Sequence, residues 1–189
     1  MIVRVLATSL KGKLLVATPA IGNGIFDRSV VLIIEHDETE GAFGVVLNRP
    51  STTEVEGALP EWSPLAASPS VVFVGGPVNP EAAICLARVS HPEADGWVRV
   101  VGSVGALDLS QDAVLLAAVV DEVRLYAGYA GWTVGQLEDE IEAGAWFVVD
   151  ATEGDVLNDD PGSLWQRVLR RQPGHLAMFA TYPEDPTTN

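Results

Sequence analysis

The chain has 189 residues and a mass of 20.0 kDa, the size of one domain whose core needs no disulfide or metal staple. Apolar residues make up 48% and charged residues 20%, which excludes intrinsic disorder of the whole chain. The formal net charge is −15, and such a surplus of carboxylates disfavours direct binding to nucleic acid or to an anionic membrane.

The surplus is lopsided. Residues 1–100 carry 11 acids and 7 bases, net −4, whereas residues 101–189 carry 15 acids and 4 bases, net −11. The N-terminal stretch has Arg4 inside its apolar run and no small-residue cleavage site, so it does not read as a signal peptide. The longest unbroken apolar run, residues 113–120, falls far short of the roughly 20 residues that cross a bilayer. The one cysteine, Cys85, cannot form an internal disulfide, which suits a reducing compartment. The expected location is the cytoplasm.

In chain order, residues 14–18 form a short β-compatible run stopped by Pro19, followed by an irregular loop over residues 20–24. Residues 29–34, β-branched and nearly all apolar, predict a strand buried on both faces. Residues 35–38 read as a polar turn leading into a partner strand over 41–48, ended by Pro50, so that the pair makes a hairpin. Residues 51–70 read as loop, with a short helix anchored by Trp62 and Leu65. Residues 71–74 predict a buried strand broken by Gly75-Gly76-Pro77. The segment after Asn79-Pro80-Glu81 is open between a helix, which Pro at the first position favours, and a strand.

Residues 98–101 predict a strand, and Ser110 caps a helix over 111–119. Residues 123–127 alternate, which places one face in water, and residues 128–132 read as a glycine-spaced tight turn. Thr133 and Gln136 have capping-box spacing, with Val134, Leu137 and Ile141 on one helical face and Gly144 at the C-terminus. Residues 145–149 predict a strand, and residues 161–171 a helix with Leu164, Trp165, Val168 and Leu169 inward. Residues 183–189 read as a frayed tail. Strands outnumber helices without alternating with them, which indicates α+β.

Motifs of catalysis are scarce. No P-loop, dinucleotide fingerprint, HExxH, CxxC or GxSxG occurs. Glu35-His36-Asp37 has metal-capable atoms, but neighbours on a strand point to opposite faces, so neither a metal nor a cofactor is expected. Cys85 lies in an apolar run that favours an inert core thiol over a nucleophile. Gly75 and Gly76 offer backbone N–H groups to an anion or simply make a turn. Tyr129 and Trp132, beside Gly128 and Gly131, either line a ligand pocket or pack the core. The run from Glu138 to Asp160 has nine acids and no base, and reads as a solvated face or a docking surface for a basic protein. Arg167, Arg170 and Arg171 form a small cationic patch beside it.

Several ordered blocks resemble the YqgE/AlgH family: residues 12–19, Phe26-Asp27-Arg28-Ser29-Val30-Val31, Glu35-His36, the Gly41-Ala42-Phe43-Gly44 run through Asn48-Arg49-Pro50, Gly75-Gly76-Pro77-Val78, residues 128–132, and Gly135-Gln136-Leu137-Glu138. The resemblance spans about residues 10–172. It implies a compact α+β domain over residues 1–182, with mixed and antiparallel sheets, a small closed barrel and flanking helices. It also implies that the segment after Val78 is extended. At Asn23-Gly24 the chain departs from the Asp-Pro pair usual in the family. Some members carry the label of transcriptional regulator, and the resemblance supplies no catalytic residue.

These readings point to a non-enzymatic regulatory or binding protein that acts through a protein partner, with its oligomeric state open. The alternative is an enzyme or small-ligand binder whose pocket gathers Arg28, Glu35, His36, Asn48, Gly75, Gly76, Tyr129 and Trp132.

Overall fold

The computed structural model describes residues 9–22, 24–91 and 94–182. The N-terminal stretch before Ser9, Asn23 and the tail at 183–189 lie outside them. Among the described residues ten strands join in one sheet. The main path begins with β1 (Lys13–Ala17), β2 (Val30–Asp37) and β3 (Gly41–Val46). It continues later in the chain through β6 (Val78–Val89), β7 (Trp97–Val101), β8 (Val104–Leu107), β9 (Val120–Trp132) and β10 (Trp146–Asp150). In space the order is β10-β1-β2-β3-β9-β6-β8-β7, antiparallel throughout. A side branch of β4 (Pro50–Glu54) and β5 (Val71–Val74) attaches parallel to β9.

The expected hairpin forms, but its turn lies later than the polar residues suggest. β2 continues through Glu35 and His36 to Asp37, after a register shift between Ile33 and Glu35. The Asp37 carboxylate then accepts the N–H groups of Thr39 (2.7 Å) and Glu40 (3.2 Å), which fixes the chain reversal there.

The fold is mixed α+β, an antiparallel half-barrel flanked by helices. It is not the closed barrel expected from the family resemblance. The end strands β10 and β7 do not pair with each other. Helices α4 (Glu153–Val156) and α5 (Leu164–Arg170) fill the opening instead. Val156, Leu164, Trp165, Val168 and Leu169 pack with Leu14, Leu32, Leu86 and Val149 from the concave face. The Trp165 indole N–H donates to the Ala17 carbonyl at 2.9 Å. The β7–β8 turn leans onto α4, where Glu153 accepts the Ser103 N–H at 2.6 Å.

Other differences have local causes. Residues 123–127 do not have a wet face: Val123, Arg124, Leu125 and Tyr126 are all buried, because both faces of β9 are covered, Tyr126 packing into one core cluster and Val123 and Leu125 into another. Residues 128–132 are not a turn but the end of that strand, paired with β3. The open segment after Asn79 is strand, with a register shift between Val78 and Ala83 that accommodates Pro80. Asp112, not Ser110, caps α2, which spans only Ala113–Leu116, by accepting the Val114 N–H at 2.8 Å. Helix α3 starts at Gln136 and runs to Glu142, so Val134 precedes it and is 56% exposed while Leu137 is buried. Expected short helical structure near Trp62 is present as α1 (Val55–Ala58) and a 3-10 segment at Pro60–Leu65. β4, β8 and a last helix α6 (Leu176–Phe179) had no signal strong enough to be read from sequence.

Candidate functional site

His36 is the most constrained of the candidates. Its side chain is only 5% exposed. The ring Nδ1 accepts the Leu10 N–H at 3.0 Å, which leaves the proton on Nε2, and Nε2 donates to Glu138 of α3 at 2.7 Å. Both nitrogens are therefore engaged, and the lone pair a general base would use already holds the backbone. Glu35, exposed on the same strand, shares with His36 a recess of about 370 Å3 that also includes Lys11, Asp37 and Glu40. The Asp37 carboxyl is held below the usual carboxylate range, first by the Thr39 hydroxyl and then by the Thr39 N–H.

The other candidates sit elsewhere on the sheet and do not line that recess. Asn48 bridges the entry to β2: its Oδ1 accepts the Val30 N–H at 3.0 Å and its Nδ2 donates to the Arg28 carbonyl at 2.9 Å. The bridge fixes Arg28 in a left-handed conformation, φ 51°. The Arg28 guanidinium stacks 4.5 Å over the Trp165 ring and donates to the Tyr182 carbonyl. Gly75 and Gly76 lie where two backbones touch. A Cβ on Gly75 would collide with the Gly128 carbonyl, and one on Gly76 with the Tyr129 backbone. The Gly75 N–H already donates to Ala127 at 2.9 Å, so it is not offered to an anion. Tyr129 meets Phe43 edge to face at 5.7 Å.

Trp132 belongs to an aromatic group that the sequence did not announce. It packs edge to face on Trp146 at 6.1 Å, and Phe26 on Trp146 at 5.5 Å. The indole N–H groups of Trp132 and Trp146 donate to the same oxygen, Oε2 of Glu140, at 2.9 and 2.8 Å. Glu140 thus does not belong to a solvated acidic face. Two more acids of the stretch are engaged, Glu153 by Ser103 and Asp155 by Arg171, while Glu138, Asp139, Glu142, Asp150, Asp159 and Asp160 are exposed, as a solvated face requires, Asp150 pairing with Lys13 at the surface. Lys13 and the Ser103 N–H respectively depress the carboxyl pKa values of Asp150 and Glu153.

Cys85 is buried, as its apolar run suggests, and burial pushes its thiol pKa far up. Among the described residues no group of three or more His, Cys, Asp or Glu side chains is arranged to hold a metal ion. No helix among them is long and apolar enough to cross a membrane.

An AlgH-like family model matches residues 14–177. The chain belongs to the YqgE/AlgH family. Two UPF0301 proteins illustrate how near its relatives lie. That of Streptomyces coelicolor is 51% identical over 187 residues, 96% of each chain. That of Mycobacterium tuberculosis is 49% identical over 182 residues, covering 94% of this chain and 90% of the other. Among solved structures, protein DIP2367 from Corynebacterium diphtheriae matches with a TM-score of 0.84 at 35% identity, over 90% of this chain and 91% of that one. The solution structure of the AlgH protein from Pseudomonas aeruginosa matches with a TM-score of 0.68 at 25% identity, over 97% of this chain and all of that one (100%).

Proposed function

We propose that this AlgH-like protein is a non-enzymatic binding protein of the cytoplasm that engages a basic protein through the tip of the β8–β9 connection. One observation carries the reading. On α2, Val114 and Leu115 are 80% and 76% exposed, side by side, although Ala113 and Leu116 on the same turn are buried. Exposed acids Asp108 and Asp112 precede the pair in the chain and Asp121 follows it. Transfer of a Val or Leu side chain from water to an interface is worth about 1.5–3 kcal/mol each, and acids at the rim select a cationic partner and speed its encounter. With a net charge of −15, any influence on transcription runs through that partner rather than through a grip on DNA.

The test compares immobilised wild type with the double variant Val114→Ser, Leu115→Ser in bacterial lysate, at low and at raised salt, with mass spectrometry of what is retained. The expected result is a basic protein held by wild type, lost from the variant and released by salt. Identical retention by both proteins, or release indifferent to salt, overturns the proposal.

A second reading, a small-ligand site at Glu35 and His36, rests on their shared recess. The engaged ring nitrogens limit it to binding rather than proton transfer.

A further inference from the structure

A second recess, of about 530 Å3, is lined by Ser68, Glu122, Asp155, Asn158, Asp159 and Arg167 among others. Its volume falls within the range of small-molecule sites. Beneath it lies an unusual investment. Arg124 is 2% exposed and makes no ion pair among the described residues. Its Nη1 donates to the Asn158 carbonyl at 2.7 Å and its Nη2 to the Ser68 carbonyl, while its plane stacks 4.4 Å over Phe73. Burial pushes the guanidinium pKa down, yet the group stays charged at any pH a folded protein meets. A buried charge without a carboxylate is costly. Here it ties together two residues that line the recess and so holds its shape.

Asn158 is 6% exposed and its Nδ2 donates to the Asp155 carbonyl at 2.8 Å, which holds the floor of the recess in place. The charges sort themselves as well. Glu122 is bound to Arg88, and Asp155 to Arg171. That leaves one anion, Asp159, and one cation, Arg167, without ion-pair partners among the described residues.

We propose that this recess binds a small zwitterion bearing one ammonium and one carboxylate, of amino-acid or dipeptide size. The ammonium is taken by the Asp159 carboxylate. The carboxylate is taken by the Arg167 guanidinium, whose planar fork matches it. A lone anion would leave the Asp159 carboxylate unanswered. A lone cation would leave Arg167 unanswered. The site is separate from the α2 tip and independent of the docking reading.

The experiment is a titration of uniformly 15N-labelled protein at constant pH and ionic strength with four probes: L-alanine, glycylglycine, n-butylamine and propionate. At least one zwitterion is expected to move the amide resonances around Asn158 and Asp159 saturably at millimolar concentration, with n-butylamine and propionate binding at least ten-fold more weakly. Asp159→Asn and Arg167→Gln are each expected to weaken the zwitterion at least ten-fold, with the thermal midpoint kept within a few degrees of wild type. The two variants lie on separate segments, so neither one's folding decides the test alone. Failure of both zwitterions to give saturable shifts overturns the proposal, as does equal binding of either single-charge probe or by the variants.

Discussion

Replacement of Glu140 by alanine removes one carboxylate on which two buried indoles depend. Trp132 and Trp146 are 6% and 3% exposed, and both N–H groups end on Oε2, while Oε1 takes the Gln136 amide at 3.0 Å. Without the carboxylate each indole keeps a buried donor with no acceptor, at about 1–3 kcal/mol apiece, so the variant is expected to lose about 2–6 kcal/mol. That is a large share of the roughly 5–15 kcal/mol that holds a domain folded. Glu140→Gln keeps an acceptor oxygen and is expected to cost about 1 kcal/mol. Glu142→Ala, exposed on the same helix, is expected to stay within about 0.5 kcal/mol of wild type. Urea unfolding followed by tryptophan fluorescence and near-ultraviolet circular dichroism measures all three. If Glu140→Ala is no more destabilising than Glu142→Ala at an unchanged denaturant slope, the shared carboxylate does not anchor the aromatic group, and the reasoning fails.

Three further outcomes follow from the same geometry. Asn48→Ala leaves the Val30 N–H and the Arg28 carbonyl without their partner and is expected to cost about 1–3 kcal/mol by urea titration, with the loss concentrated in the hydrogen-exchange protection of the β2 entry. Gly75→Ala forces a Cβ against the Gly128 carbonyl in a place where neither backbone can yield cheaply, and a loss of at least about 2–3 kcal/mol is expected in a thermal melt. Glu153 has its folded pKa below the ordinary value of 4.5, so its contribution to stability is complete above that pH and disappears as pH falls through the folded value. Glu153→Gln is therefore expected to flatten the acid limb of a stability profile measured between pH 2.5 and 6, and an unchanged limb would show that the Ser103 contact contributes nothing.

Strand positions were legible wherever the chain is locally apolar and β-branched. β1, β2, β5, β7 and β10 all lie where residues alone place them, because a run such as Val30-Val31-Leu32-Ile33-Ile34 has no other way to leave water. Glycine and proline gave weaker guidance. Gly128 signals a turn by composition but serves a strand crossing, where its φ of 70° lets β9 approach the backbone of Gly76 and Val78. That approach involves residues some fifty positions apart, which no local pattern encodes. Of the candidate site, only Glu35 and His36 share a recess, while Asn48, Gly75, Gly76 and Trp132 hold backbone and core.

By itself the sequence determined the class of fold, the family and the sign of the surface field, since each depends on local periodicity, ordered motif blocks or a plain count of charges. Tertiary structure alone decided that the sheet stops as a half-barrel with α4 and α5 in its mouth, and that Arg124 ends buried beneath a recess. It also decided that Glu140 serves two indoles, Glu153 a serine and Asp155 an arginine, while most of the other acids of the second half face solvent. The physical reason is that a side chain's burial and partners are set by strands and helices far away in the chain, and an alternating pattern such as Val123-Arg124-Leu125 looks the same whether its polar member faces water or two carbonyls.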